Sequence, residues 1–330
     1  MPSSGPQSVI KRVVSISTTL ATDQIPSAPR LLFQRAAVRG KDEALFGAKL
    51  FLLAAMLVGG GAMAIQAQYA LAACGMVLLA AAYTHAVELQ HQCLHHSAFR
   101  NPRPHRLVGV PLGTPMLVSY SHYRVRHLQH HRFLGTPQDT EFFGFDTRKP
   151  LTLGALAKGL FDVRRIANVG RDIARCATGR WQYDMGQIAP KARRAIVSEY
   201  RWFGVFILLL AAACGAGGAP LVLRLWLIPF VLSMPMHFLV ELPEHILCDS
   251  TSVDVLRNTR TITGSRLTTW FTNGNNLHIE HHAAMNVPLS RLRDRHEDVR
   301  EFGVHVQRSY AEFFAIVTRE VWKNRKASKG

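Results

Sequence analysis

The chain has 330 residues, of which 48% are hydrophobic and only 18% charged, with a net charge of +17. That length admits one large or two modest domains, and the basic excess suits either nucleic acid or the cytoplasmic face of a bilayer. Its distribution excludes nucleic acid as a partner: there is no Lys or Arg between Lys49 and Arg100 or between Arg201 and Arg224, and no basic stripe interleaved with aromatics.

Residues 1–45 read as a polar, basic N-terminal arm without the apolar core of a secretory signal. Two apolar runs follow, 46–67 and 69–87, each about the ~20 residues that a bilayer requires. Only "QAQ" separates them, so they read as a tight helical hairpin. Residues 107–119 are apolar but short and broken by Gly and Pro, which suits an interfacial or re-entrant segment. From 153 to 173, apolar residues recur every three or four positions with basic residues opposite, the pattern of an amphipathic helix lying in the headgroup region or packed on a cytosolic face. A second hairpin spans 202–217 and 220–240, joined by "GAGGAP", with Arg224 near enough to its end to snorkel. The tail is charged and helix-prone, ending in "KNRKASKG".

Lys and Arg concentrate in the N-terminal arm, in 100–201 and in the tail, and the hairpin tips hold none. Positive-inside counting therefore places both termini and the middle loop in the cytoplasm. The expected fold is an all-α integral membrane protein. Four transmembrane helices in two hairpins carry interfacial helices and a cytoplasmic helical cap. The expected division is 1–45 as the arm, 46–296 as the membrane domain and 297–330 as a basic C-terminal helix and tail. Cys74, Cys93, Cys176, Cys214 and Cys248 show no paired spacing, so a disulfide framework is not expected, and Cys74 and Cys214 read as small buried hydrophobes.

The sixteen histidines are unevenly placed. "HQCLHH" at 91–96 follows the second run, "HLQHH" at 127–131 follows the short apolar segment, "ELPEH" brings His245 just past the fourth run, and "HIEHH" lies at 278–282. The topology puts all four at cytoplasmic ends. On a helix, positions i, i+3 and i+4 share a face. His127, His130 and His131 therefore project together, as do His278, His281 and His282, and His91 and His95 are i, i+4 neighbours. Glu280 points away from its box. Eight or nine nitrogen donors exceed the four of one tetrahedral ion and suit two ions with open positions. Imidazole suits iron, copper, nickel and zinc. An open all-nitrogen pair points to oxygen activation by iron, and spacing alone is equally compatible with two zinc ions. His237, within an apolar run, is expected to be packed or to stand behind a ligand, and His85 and His122 are open in the same way. His96 would be a surplus donor, and His105, His296 and His305 read as surface residues.

At these residues the chain resembles the membrane-bound fatty acid desaturase family, whose relatives include alkane hydroxylases and carotenoid ketolases. The segments that carry the likeness are "HQCLHHSAF", "HYRVRHLQHHRFLGTPQDTE", "ELPEH" and "NNLHIEHHAAMNVPLSRL", between about His85 and His296. The resemblance implies two Fe ions, a diiron centre, on His91, His95, His127, His130, His131, His245, His278, His281 and His282. It implies O2 as co-substrate, two electrons per turnover and a fatty acyl substrate linked to lipid, CoA or acyl carrier protein. Gln92 stands where the family often has an acid, and His96 where a small residue is common. No His-Pro-Gly-Gly motif is present, so electrons are expected from a separate ferredoxin, rubredoxin or cytochrome. Acceptors behind the rings would fix tautomer and orientation. The candidates are Glu88, Asp139, Glu141, Glu244, Asn275, Asn276 and Glu280, each of which has a plain alternative as a cap or a solvated group. The leading expectation is an oxygen-dependent acyl desaturase. A hydroxylase, ketolase or oxidative decarboxylase of a lipid or terpenoid chain is the alternative. A metal transporter or sensor is disfavoured, because the span interiors lack the ionisable residues it needs.

Overall fold

The computed structural model describes residues 31–140 and 145–327. Helix α1 (Gly40–Ala64) and helix α2 (Tyr69–Leu94) form the first hairpin. They touch through glycines: a Cβ on Gly75 would stand 2.3 Å from Ala64 N and 2.7 Å from Gly60 O, so only a bare backbone allows the approach. The outer face of α1 is apolar and uncovered, with Phe51 78% and Val58 74% exposed. Cys74 is likewise exposed and Cys214 half-buried, which corrects their reading as buried hydrophobes. Their apolar runs turn outward, where lipid does the burying. α2 continues unbroken beyond the expected end at 87, because polarity changes there while the backbone hydrogen bonding does not.

Helix α3 (Pro104–Gly113) and a short 3-10 turn lead to α4 (Tyr120–Phe133). Ser119 caps α4 by accepting from His122 N at 3.2 Å. Glu199 anchors this start from a neighbouring helix. Its carboxylate accepts from Ser119 Oγ at 2.7 Å, Ser121 N at 2.8 Å, Ser121 Oγ at 2.6 Å and Arg106 Nε at 3.0 Å. The expected amphipathic helix is two helices, α5 (Leu153–Leu160) and α6 (Val163–Ala177), broken where Asp162 accepts from Arg165 N.

Among the described residues, three helical segments are long and apolar enough to cross a membrane: Gly40–Ala64, Tyr69–Leu94 and Pro190–Glu241. The third contains α7 (Pro190–Ala213), α8 (Ala219–Val222) and α9 (Ile228–Glu241), joined through π-helical turns. Gly217 adopts φ 86, which breaks the helix. Phe206 and Trp226 would lie about 30 Å apart on a straight helix, yet their ring centroids are 5.6 Å apart, so the segment folds back on itself. Arg224 ties this fold to the first hairpin by donating to Gln66 O at 3.1 Å.

The remaining elements are α10 (Val255–Asn258), β1 (Arg260–Ile262), α11 (Arg266–Phe271), α12 (His278–Ala283), α13 (His296–Phe302), β2 (His305–Gln307) and α14 (Tyr310–Ala327). The described residues are mostly helical, as expected, and the two strands, of three residues each, are an addition to that fold. They pair in parallel, Arg260 opposite His305, Thr261 opposite Val306 and Ile262 opposite Gln307, and Thr261 also bridges Leu277. Three-residue strands carry too few side chains to display a period of two. α14 packs Phe313, Val317 and Val321 into one cluster with Phe238 of α9 and Leu242 just past its end. Arg260 stacks 4.9 Å over the Phe313 ring and donates to Ile246 O at 2.7 Å.

Candidate metal centre

Four chain segments converge on one buried volume. The end of α2 brings His91 and the residue after it His95, α4 brings His127, His130 and His131, the turn after α9 brings His245, and α12 brings His278, His281 and His282. Local conformation sets the aim. α12 runs for barely two turns, and the loop before it holds Asn273 at φ 51 and Gly274 at φ 92. Asn273 accepts from Lys49 Nζ of α1 at 2.6 Å and donates to Glu88 O and Gln92 Oε1 of α2, each at 3.0 Å. That polar knot joins the third box to the first hairpin.

The rings meet through their Nε2 atoms. His91 lies 2.6 Å from His127 and 3.3 Å from His95. His131 lies 3.0 Å from His127 and 3.1 Å from His281. His282 lies 3.2 Å from His130 and 3.1 Å from His278. Two groups emerge, with ligand atoms mutually within 4.8 Å: His91, His95, His127 and His281, and then His130, His245 and His282. His278 joins His245 and Glu244 in an overlapping third group. His131 stands between the sets, stacked on His282 with centroids 4.0 Å apart.

Several Nδ1 atoms have protein partners. His130 Nδ1 is 2.7 Å from Asp139 Oδ1, His245 Nδ1 donates to Asn258 O at 2.9 Å, and His278 Nδ1 donates to Asn275 Oδ1 at 2.9 Å. A proton held at Nδ1 leaves Nε2 as a bare lone pair. Lone pairs facing one another about 3 Å apart repel unless a cation lies between them. Ligands about 2.0–2.1 Å from a metal stand about 3 Å from each other, so the array fits bound metal. Burial holds His95, His127, His131, His278, His281 and His282 well below the ordinary imidazole pKa, and it lowers His245 to about 3. Neutral rings are the form that ligates.

The expected supporting groups divide. Asp139 and Asn275 hold rings, and Glu244 Oε2 lies 3.2 Å from His278 Nε2 while Oε1 accepts from Asn275 Nδ2 at 2.6 Å. Glu88 reaches no ring of the boxes: its carboxylate bonds Asn275, with Oε2 buried and unpartnered. Asn276 donates to Ile262 O at 2.6 Å and so supports β1 instead of a ligand. Glu280 does point away from its box, accepting from Thr261 Oγ1 and pairing with His296 Nδ1 at 2.7 Å. Glu141 lies outside the described residues.

Two histidines expected at the surface are structural. His105 is buried, accepting from Phe99 N at 3.1 Å and donating to Pro102 O at 3.1 Å. His296 bridges Glu280 and Thr263. His85 packs on Trp270 with its Nδ1 donating to Phe271 O at 2.7 Å. His96, at φ 54, turns outward and stacks on His105. Gln92, the departure in box one, donates to Ser97 O at 3.1 Å.

A cavity of about 310 Å³ opens beside the cluster, lined by His91 and His127 and by the apolar Val87, Met116, Leu117 and Phe238. Its other walls are polar and had no signature of their own in the chain: His122 on α4, Asp172 on α6, Tyr200 on α7 and His237 on α9. The contacts of His122, Asp172 and Tyr200 join distant segments, so no spacing rule reveals them, whereas His237 pairs with Glu241 at i, i+4 on α9. Glu199 did carry a signal, as the lone acid between Asp184 and Glu241.

Comparison with protein families matches the fatty acid desaturase model over residues 67–314, which takes in every one of these histidines. A search of curated proteins returned no match.

Proposed function

This chain belongs to the fatty acid desaturase family, and on that premise we propose that it introduces a double bond into a fatty acyl chain at a membrane-embedded pair of iron ions. The family makes it an oxidoreductase with a fatty acyl substrate in a lipid setting. The observation that carries the finer reading is the convergence of imidazoles from four segments, with Nε2 atoms 2.6 to 3.3 Å apart. His91, His95, His127, His130, His131, His245, His278, His281 and His282 would hold the two irons.

When bound, the iron pair supplies oxygen activation and the power to remove hydrogen from an unactivated methylene. The balance is one O2, two electrons and two protons consumed per double bond, with two waters released. The electrons come from a separate ferredoxin, rubredoxin or cytochrome. The chain's own residues hold and shield. Asp139, Asn258 and Asn275 keep three rings oriented with Nε2 bare. Val87, Met116, Leu117 and Phe238 give the methylene an apolar wall and exclude water beside the metal. The fold-back at Gly217 supports four crossings, and Lys/Arg asymmetry supports both termini and the metal site in the cytoplasm, with 46–296 as the membrane unit.

The test is metal analysis of purified protein joined to lipid profiling of a host expressing it. About two irons per chain and new unsaturated acyl species support the reading. Oxygenated lipids would favour the hydroxylating alternative, and readily exchanged zinc without lipid change would favour a transporter or sensor. His281→Ala is expected to abolish product while the protein still inserts in membranes, a loss beyond the ~10–100-fold seen when only a supporting partner of a ligand is removed. Undiminished product from that variant would overturn the assignment.

A further inference from the structure

The cavity that exposes His91 and His127 also exposes two imidazoles that take no part in the histidine cluster. His122 and His237 both line it, and the Nε2 atom of each is buried without a partner. A buried polar atom left unpaired costs about 1–3 kcal/mol, and such atoms are rare enough in folded proteins to call for an explanation. Their other nitrogens define what is missing.

His122 Nδ1 lies 2.7 Å from the Tyr200 hydroxyl, and that hydroxyl is bonded in turn to Asp172, which also receives the Trp181 indole. Tyrosine has a single hydroxyl proton. With that proton given to the Asp172 carboxylate, the phenol oxygen accepts from His122 Nδ1–H, and Nε2 is left as a lone pair directed at the cavity. Burial lowers the His122 pKa to about 4, so the ring stays neutral. His237 repeats the arrangement one helix away. Its Nδ1 lies 3.2 Å from Glu241 Oε2, and the guanidinium of Arg165 lies in the field of the same carboxylate. Here too the proton sits toward the acid, and Nε2 faces the cavity as an acceptor.

Two acceptors in one cavity of about 310 Å³ ask for donors, and a plain methylene chain has none. We infer that the substrate is a lipid bearing hydroxyl or amide N–H groups within a few bonds of the carbon that is oxidised, with His122 and His237 as the residues that select it. The inference rests on the desaturase reading and narrows it from acyl chains in general to hydroxylated or amide-linked lipids oxidised near the polar group. His122 and His237 are specificity residues with no place among the ligands. The apolar wall of Val87, Met116 and Phe238 receives the chain on the far side of the reacting carbon.

The experiment measures binding of two probes to the full-length, iron-loaded protein in lipid nanodiscs: a long-chain 1,3-diol and its dimethyl ether. The ether keeps the shape and the acceptor oxygens and removes the donors. The expected result is tighter binding of the diol, by about three- to tenfold for each hydrogen bond made. The preference should shrink in His122→Phe and His237→Leu, and in Tyr200→Phe, where the proton on His122 is no longer directed to Nδ1. Equal binding of diol and ether by the unsubstituted protein would overturn the inference and leave water as the partner of both nitrogens. A third metal equivalent that disappears in His237→Leu would also overturn it, because Glu88, His237 and Glu241 bring ligand atoms within 4.8 Å of one another. A protein that holds two irons and desaturates unsubstituted acyl chains, yet does not distinguish the probes, defeats this inference alone. One that holds no iron defeats the reading beneath it.

Discussion

Among His91, His95, His127 and His281, three rings have buried Nδ1 atoms without a protein partner: His91, His95 and His281. In the other half, the Nδ1 atoms of His130, His245 and His278 each meet an oxygen, from Asp139, the Asn258 carbonyl and Asn275 respectively, while that of His282 is buried without a protein partner. In the first set His91 and His127 ride on the long α2 and on α4, His95 follows α2 directly, and His281 sits on the six-residue α12. The second includes His245, in a turn beyond α9, and His278, at the start of the six-residue α12. For His245 and His278, a hydrogen bond supplies the aim that a turn or the start of a short helix does not. Two ways of orienting an imidazole thus coexist in one cluster.

Acidification is the broadest perturbation of this contrast. Burial lowers the pKa of seven of these rings in the folded protein, His245 to about 3, against an ordinary 6.5. In the metal-free protein the unfolded chain therefore takes up protons first. Stability is level above about 6.5 and falls continuously as pH drops below it. Bound metal competes with the same protons, so iron should leave over the same window. Circular dichroism and chelator-accessible iron, followed together against pH, check this. Release in two separate steps would show that the halves titrate independently, and retention of both irons at pH near 4 would contradict it.

Asp139→Ala comes next. It removes the carboxylate behind His130 and should weaken one ion by about 10–100-fold, while the ion held by the first set stays bound. Stepwise chelator titration resolves the two. Equal weakening of both ions would mean that the halves are one cooperative unit and would dissolve the contrast.

Glu199→Ala is the smallest and should strike both halves alike. α4 supplies His127 to one set and His130 to the other, and Glu199 is 2% exposed with four donors gathered on it. Losing a buried acceptor costs about 1–3 kcal/mol, which should appear as a lower melting temperature in detergent and parallel loss of both irons. An unchanged melting temperature would show that the start of α4 is held by its own cap.

The boxes are legible from sequence because ligation on a helix needs one face, and the i, i+3, i+4 spacing of His127, His130 and His131 displays that face. The hairpin at 64–69 is legible because lipid demands unbroken apolar runs. The same polarity rule fails at position 87, where α2 continues into its buried, histidine-bearing end. It also fails at His105 and His296, since a polar residue packed against polar partners leaves the same trace as a solvated one. The pairing of β1 with β2 and the relay from Asp172 through Tyr200 to His122 depend on distant segments meeting, whereas His237 and Glu241 are i, i+4 neighbours on α9 and only their place beside a cavity is hidden from the sequence. Among the supporting acids and amides, Asp139 and Asn275 reach rings while Asn276 and Glu280 serve the backbone of β1 and the His296 contact. Residue type is identical across that divide, and only placement separates them.

The short parallel ladder has a consequence for shortened forms of the protein. All nine imidazoles precede residue 284, yet the strand that clamps Arg260–Ile262 comes from His305–Gln307, and the ring under Arg260 from Phe313. A product of premature termination or proteolytic trimming near residue 303 would still carry every donor atom but lack the strand and the ring that hold β1, leaving the segment that delivers the last three to its contacts with a loosened β1 and with the first hairpin. By composition alone such a fragment would pass for a complete metalloprotein.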